Sequence, residues 1–180
     1  MDSARSYIYP TTLESCNFCP LELNASTVMS PQISAPGLTE DQIKAEIAWL
    51  NEFMQAGDSL DWSRWEKGWE EDAFLQYGNS PRLQGKAAIA NYFKEQLGML
   101  EYMHHDLFRF TFDLPLGLVY QASNVKFKIK GDPKGRTIQL PALGVLHKRV
   151  GEKVLSGCEV YVDKGPLAAV AQEILQGKGA

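Results

Sequence analysis

Apolar residues recur at helical spacing in the first half of the chain. Thr39 and Gln42 fit a capping box, in which each side chain accepts a hydrogen bond from the backbone N–H of the other residue. An apolar stripe with a period near 3.6 follows across residues 43–54, and Gly57 is a typical helix stop. These features predict a first helix that begins after Thr39 and ends at Gly57.

Two further helices and a series of strands are predicted after the first helix. Trp62, Trp65 and Trp69 share one face of the second helix, over residues 60–69, and this stripe is typical of core packing. The third helix covers residues 86–100, after which the period falls to 2. The pattern predicts a short strand, four longer strands in a meander and a last helix, over residues 72–77, 104–112, 119–130, 137–150, 154–162 and 166–175.

The order of these elements indicates the fold class. Helices come first and the longer strands run consecutively, which predicts an α+β domain with an antiparallel sheet packed on helices, over residues 38–176. The residues before the domain show no sustained period and hold four of the chain's nine prolines. We therefore expect an irregular N-terminal arm over residues 1–37.

Composition and charge narrow the function classes. The net charge is −4, from 18 Lys and Arg against 22 Asp and Glu, which argues against nucleic acid as the main partner. No apolar run approaches the roughly 18 residues of a membrane span, so no membrane association is expected. Three cysteines cannot form a disulfide framework. The expected location is the cytoplasm.

No metal or cofactor site is predicted. Cys16 and Cys19 have CxxC spacing, but a zinc site needs a second pair of ligands and only Cys158 remains. His104, His105 and Asp106 are neighbours on a predicted strand, so their side chains alternate and do not chelate together. No glycine-rich phosphate loop and no nucleophile elbow occur in the sequence.

Six short motifs occur in one order within residues 39–165, and they are Ala56-Gly57-Asp58, Asp61-Trp62, Asp72-Ala73, residues 85–89, Met103-His104-His105 and Tyr161-Val162-Asp163. With these motifs the sequence resembles the SnoaL-like group of the nuclear-transport-factor-2-like (NTF2-like) superfamily. The resemblance implies a cone, in which a curved antiparallel sheet wraps around three N-terminal helices and leaves an apolar pocket at its wide end. It also implies a homodimer that pairs through the outer face of the sheet.

The resemblance covers enzymes and proteins without catalysis, so fold alone does not settle function. Ketosteroid isomerase uses a base, a tyrosine and a protonated aspartate at positions that match Tyr77, Leu50 and Gly144 here. That mechanism is therefore disfavoured. Scytalone dehydratase is also disfavoured, because the first helix turns an almost wholly apolar face inward.

Strand alternation and the resemblance predict the site residues. Counting by twos along the second strand places His104, Asp106 and Phe108 on one face, where the histidine and the aspartate would form an acid–base pair. Alignment with the family, as the resemblance implies it, places Glu159 toward the cavity, where it is a second candidate acid or base. The predicted substrate-binding residues are Tyr77, Tyr161, Gln121, Ser123, Phe108, Phe127 and Trp65. His105 faces the other way and is expected to be structural or exposed.

Two functions remain open at this point. The first is a cofactor-free isomerase, dehydratase or cyclase that moves a proton on a hydrophobic, oxygenated substrate such as a polyketide or terpenoid. The second is a non-catalytic module of the same fold that binds a hydrophobic small molecule or forms a dimer. A carboxylate with a raised pKa near His104 or a tyrosine would favour the enzyme.

Overall fold

The computed structural model describes residues 30–177, and the greater part of the predicted arm lies outside this range. Four helices are present, and a single 3₁₀ turn follows the second of them, over Glu66–Gly68. The helices are α1 (Glu40–Asp58), α2 (Trp62–Trp65), α3 (Lys86–Leu97) and α4 (Gly165–Leu175). The strands are β1 (Gln32–Ser34), β2 (Trp69–Tyr77), β3 (Leu83–Gln84), β4 (Leu100–Asp113), β5 (Leu118–Ile129), β6 (Ile138–His147) and β7 (Leu155–Val162).

The seven strands form one curved, open sheet in the order β1-β4-β5-β6-β7-β2-β3. The meander from β4 to β7 is antiparallel, as the alternating pattern predicts. The prediction that the sheet is antiparallel is wrong for two pairs of strands, because β2 runs parallel to β7 and β1 runs parallel to β4. Strand β1 also corrects the prediction of an irregular arm over residues 32–34, since its backbone pairs with the edge of β4.

Helix α1 begins as its capping box predicts. The Thr39 hydroxyl accepts from the Gln42 N–H at 3.3 Å, and the Gln42 side chain accepts from the Thr39 N–H at 2.9 Å. The apolar stripe of α1 lies against the inner face of the sheet, where Leu50 and Phe53 are buried. Asp58 ends the helix, so its carboxylate lies at the C-terminal end of α1.

Helix α2 is shorter than predicted, because the chain turns into strand β2 at Trp69. The three tryptophans nevertheless pack together with Phe93 of α3, and the Trp65 and Phe93 ring centroids are 4.1 Å apart. Trp69 is almost completely buried. This aromatic cluster joins α2 and α3 to the sheet and closes one side of the cone.

A β-bulge interrupts β4 between Leu107 and Arg109. Phe108 is the extra residue and has no partner on β5. Odd-numbered residues of β4 from Met103 to the bulge face the helices, and even-numbered residues face them after it. Met103 before the bulge and Phe110 after it are both buried. In a regular strand, two residues seven positions apart would lie on opposite faces. The bulge therefore changes which side chains of β4 face the helices.

Helix α4 covers the wide end of the cone. Leu167, Val170 and Ile174 pack against a second apolar cluster, which includes Leu100 and Val125 on strands β4 and β5. Within residues 30–177 no helix is long and apolar enough to cross a membrane.

Candidate functional site

Two adjoining cavities lie between the inner face of the sheet and the helices. The inner cavity has a volume of about 60 Å³, and the outer cavity, under α4, has a volume of about 100 Å³. They share five lining residues and so form one path from the mouth of the cone toward α1. The shared residues are Tyr77, Met103, His105, Ala142 and Val160.

His105 and Asp58 form a hydrogen-bonded pair at the boundary between the cavities. His105 Nδ1 is 2.6 Å from Asp58 Oδ1, and the His105 backbone N–H donates to Asp58 Oδ2 at 3.0 Å. Both side chains are largely buried, with 17% and 14% of their surfaces exposed. Because a carboxylate oxygen only accepts, Nδ1 carries the hydrogen, and in the neutral form of the ring Nε2 then has a free lone pair.

This pair was missed from the sequence, and the predicted orientation of β4 is wrong. The bulge at Phe108 places His105 inward and His104 outward, whereas counting by twos across the bulge gives the opposite result. His104 is 47% exposed, and its Nε2 is 3.2 Å from Asp106 Oδ1 on the outer face. Its Nδ1 is 3.5 Å from Asp58 Oδ2, so the ring of His104 borders the same carboxylate from outside the cavities. Phe108 itself is exposed at the bulge and does not line either cavity.

Asp106 is held as a charged group on the outer face of the sheet. Lys126 Nζ is 2.7 Å from Asp106 Oδ2. This hydrogen bond and the positive charge lower the pKa of Asp106, and His104 acts in the same direction. A carboxylate with a lowered pKa outside the cavity does not suit the predicted role in proton transfer.

Glu159 and Tyr161 also face outward, so the predicted orientation of β7 is wrong by one residue. The residues of β7 that line the inner cavity are instead Cys158 and Val160. Glu159 accepts from the Tyr161 hydroxyl at 2.7 Å, and His147 Nε2 lies 2.8 Å from its other oxygen. These two contacts lower the pKa of Glu159. The predicted carboxylate with a raised pKa is therefore not found at Glu159 or at Asp106.

The other predicted residues lie where a ligand would contact them. Gln121, Ser123 and Trp65 line the inner cavity, Phe127 lines the outer cavity, and Tyr77 lines both. Their roles in binding stay predictions. Gln121 and Ser123 come from β5, which has no bulge, so simple alternation keeps them on the inner face.

Two polar atoms of the inner cavity have no hydrogen-bond partner among residues 30–177. They are the acceptor Gln121 Oε1 and the donor Trp65 Nε1. Gln121 is only 5% exposed, and its amide donates to the Met54 sulfur at 3.5 Å, which is a weak bond. Because an unpaired buried polar atom costs about 1–3 kcal/mol, these atoms favour a ligand with both a donor and an acceptor.

Burial fixes the protonation of two further groups in the cavity wall. It raises the pKa of the Tyr77 phenol, so Tyr77 is a neutral hydroxyl that donates a hydrogen bond at neutral pH. Burial likewise raises the pKa of Cys158 to about 12. The thiol is then protonated, and Cys158 does not serve as a nucleophile.

In the part of the chain that the structure describes, no group of three or more His, Cys, Asp or Glu side chains is arranged so that it could hold a metal ion. The predicted absence of a zinc site at Cys16 and Cys19 concerns residues outside that part.

Known protein structures with the same fold were found, although no protein-family model and no curated protein sequence matches the chain. One is a protein described as a SnoaL-like polyketide cyclase from Shewanella denitrificans, 14% identical, with a TM-score of 0.59 over 72% of this chain and 98% of the other. PrhC from Penicillium brasilianum is 12% identical, with a TM-score of 0.64 over 77% and 93% of the two chains.

A third similar structure is an epoxide hydrolase of the LEH-like type from Mycobacterium tuberculosis. It is 16% identical to this chain, with a TM-score of 0.54 over 74% of this chain and 92% of the other. At such low identities the likeness establishes the fold alone. The chain therefore shares the fold of these SnoaL-like and NTF2-like structures.

Proposed function

We propose that this protein is a cofactor-free enzyme that moves a proton within a hydrophobic, oxygenated small molecule, as an isomerase, dehydratase or cyclase. The observation that supports this most directly is the contact of His105 with Asp58 beside an apolar cavity. Polyketides and terpenoids are the substrate classes that fit such a cavity, since they combine apolar carbon skeletons with a few oxygens.

His105 is the general base in this proposal. Asp58 holds the ring in the tautomer that leaves Nε2 free, and it stabilises the positive charge that develops when Nε2 takes a proton from carbon. The apolar walls exclude water, so the attraction between the charged ring and Asp58 is stronger than in solution. The same imidazolium can return the proton to another atom of the substrate, which completes an isomerisation or expels a hydroxyl as water.

Neutral donors of the cavity bind the substrate oxygen. Removing a proton next to a carbonyl places negative charge on that oxygen, and donors already in position stabilise it. Tyr77 and Trp65 supply such donors, and the free Gln121 carbonyl oxygen accepts from a substrate hydroxyl. These groups orient the substrate, while His105 is the residue that exchanges the proton.

Deuterium exchange tests the proposed base without knowledge of the natural substrate. The probe is 2-tetralone, a hydrophobic ketone with acidic protons, and its exchange in D₂O is followed by NMR. We expect the wild-type protein to accelerate exchange, and His105→Asn and Asp58→Asn to lower the rate by about 100-fold or more. His147→Asn is the matched control, because His147 also pairs with a carboxylate but lines neither cavity, and this variant is expected to keep the rate.

The outcomes separate the two functions. Exchange that continues at the wild-type rate in the His105 variant, or that is lost equally in the His147 variant, would contradict the assignment of the base. A wild-type protein that binds 2-tetralone without accelerating exchange would instead favour the non-catalytic binding module. The mainly apolar lining of the outer cavity is compatible with that second function.

We also propose that the chain forms a homodimer through the outer face of its sheet. Leu143 and Tyr161 are paired across β6 and β7 on that face, and they are 41% and 48% exposed. Burial of such apolar surface between two copies would stabilise a dimer. Light scattering of the purified protein should give about twice the 20.1 kDa chain mass, and Leu143→Lys should give the monomer.

A further inference from the structure

Lys164 is a positively charged residue in the wall of the outer cavity that the sequence analysis did not identify. It precedes helix α4, and its Nζ donates to the Tyr92 hydroxyl at 2.9 Å. The same Nζ lies 4.1 Å from the centroid of the Tyr77 ring, which is within the range of a cation–π contact. Two aromatic side chains thus hold the ammonium group at the edge of the cavity.

The outer cavity has no carboxylate to balance this charge. Its lining among residues 30–177 includes Lys164, His105 and two tyrosines but no Asp or Glu. No salt bridge joins Lys164 to a carboxylate within residues 30–177. Asp163, the adjacent carboxylate, accepts from the Gly165 N–H at 2.8 Å and does not line the outer cavity.

Two features make an anion the natural partner of this charge. An ammonium group has three N–H donors, and Tyr92 takes only one of them. The first turn of α4 lies beside Lys164, and the partial positive charge at a helix N-terminus adds to the field of the side chain. Both features favour a negatively charged oxygen over a neutral one at the same place.

We propose that Lys164 is a specificity-determining residue, which selects hydrophobic substrates that carry a carboxylate. The carboxylate binds at Lys164 on the edge of the outer cavity, and the apolar body of the substrate lies along Phe127 and Val160 toward His105. This inference rests on the proposed function, because it assigns a substrate class to the same cavity. Lys164 contributes to binding, and His105 contributes to proton transfer.

A pair of ligands that differ only in charge tests the inference. The probes are 2-naphthylacetate and 2-naphthylacetamide, and calorimetry measures the affinity of the purified wild-type protein for each at neutral pH. A charge-assisted hydrogen bond predicts that the carboxylate binds about tenfold more tightly than the amide. This preference should decrease at high salt, because Lys164 is only partly buried.

Three variants assign the preference to the Lys164 charge. Lys164→Met keeps the length of the side chain and should abolish the preference, mainly through weaker binding of the carboxylate. Lys164→Arg keeps the charge and should retain most of it. Lys44→Met, at a residue whose side chain is 73% exposed on α1, is the matched control and should bind both probes as the wild type does.

The results that overturn the inference differ from those that overturn the proposed function. Equal affinity of the wild type for the two probes, failure of both to bind, or an unchanged preference in Lys164→Met would each overturn it. The proposed function is judged separately, by deuterium exchange in the His105 variant. A charge preference without exchange leaves Lys164 as the determinant of a binding site, and exchange without a preference removes only the role of Lys164.

Discussion

Replacing Glu46 with alanine should destabilise the protein severely, because it leaves a buried charge without its partner. Lys148 Nζ is 2.5 Å from Glu46 Oε2, and the two residues are only 2% and 4% exposed. The other carboxylate oxygen of Glu46 accepts from the Gly151 N–H at 2.7 Å. The pair therefore ties helix α1 to the chain that follows β6.

The expected cost follows from these contacts. Removing one partner of a buried ion pair costs about 3–5 kcal/mol, and the Gly151 N–H loses its acceptor as well. We expect Glu46→Ala to lower the free energy of unfolding by about 4 kcal/mol, a large fraction of the 5–15 kcal/mol of an ordinary domain. The face of Trp49, whose ring centroid is 4.6 Å from Lys148 Nζ, compensates only a small part of the loss.

Urea unfolding, followed by tryptophan fluorescence and circular dichroism, measures this cost. Glu52→Ala is the control, because Glu52 is exposed on the same helix and its loss should change stability by less than about 0.5 kcal/mol. The double variant Glu46→Leu with Lys148→Met should recover most of the stability, since it removes both charges. A cost below about 1 kcal/mol for Glu46→Ala, or a double variant that is no more stable than Glu46→Ala, would refute the reasoning.

Three further predictions concern other parts of the molecule. Arg136 holds the pKa of Asp132 at about 2, below its ordinary value of 3.8, so this carboxylate stabilises the fold above pH 3.8 and loses that effect as the pH falls toward 2. Thermal unfolding of Asp132→Asn should therefore show a shallower decline of Tm with acid than the wild type, and equal slopes would contradict this. With the other two cysteines replaced by serine, Cys158 should react with Ellman's reagent at least about 100-fold more slowly in the native state than in urea. Phe108→Ala should cost less than about 1 kcal/mol in the same unfolding assay, because the Phe108 side chain is exposed at the bulge, and a larger cost would contradict this.

The order of elements could be predicted from the sequence because each element carries its own period. The capping box at Thr39 and the alternation in β5 are local signals, and local signals suffice to place a helix start or the two faces of a regular strand. The end of α2 is different. Trp65 and Trp69 satisfy a helical stripe, but the chain turns into a strand at Trp69, and that change depends on packing against distant residues.

The orientation of β7 shows a disagreement between two kinds of sequence evidence. The apolar positions Cys158, Val160 and Val162 alternate with Glu159 and Tyr161, so the hydrophobic pattern alone favours the orientation that the structure has. The alignment implied by the family resemblance favoured the opposite one. A shift of one residue in an alignment exchanges the two faces of a strand, so polarity was the safer guide here.

The site on β4 could not be predicted in the same way, because no residue type marks the bulge at Phe108. Asp58, however, carries a signal that is independent of the strands. A carboxylate at the C-terminal end of a helix opposes the helix dipole, at a cost of about 0.3–1 kcal/mol, and α1 has no basic residue in its last turn to offset it. The donors that offset this cost are the backbone N–H and the ring of His105, which both contact the Asp58 carboxylate. The contact that stabilises the end of α1 is thus the contact that fixes the tautomer of the proposed base. Asp58→Asn, which can still accept from the His105 backbone N–H, should therefore reduce deuterium exchange far more than it reduces stability.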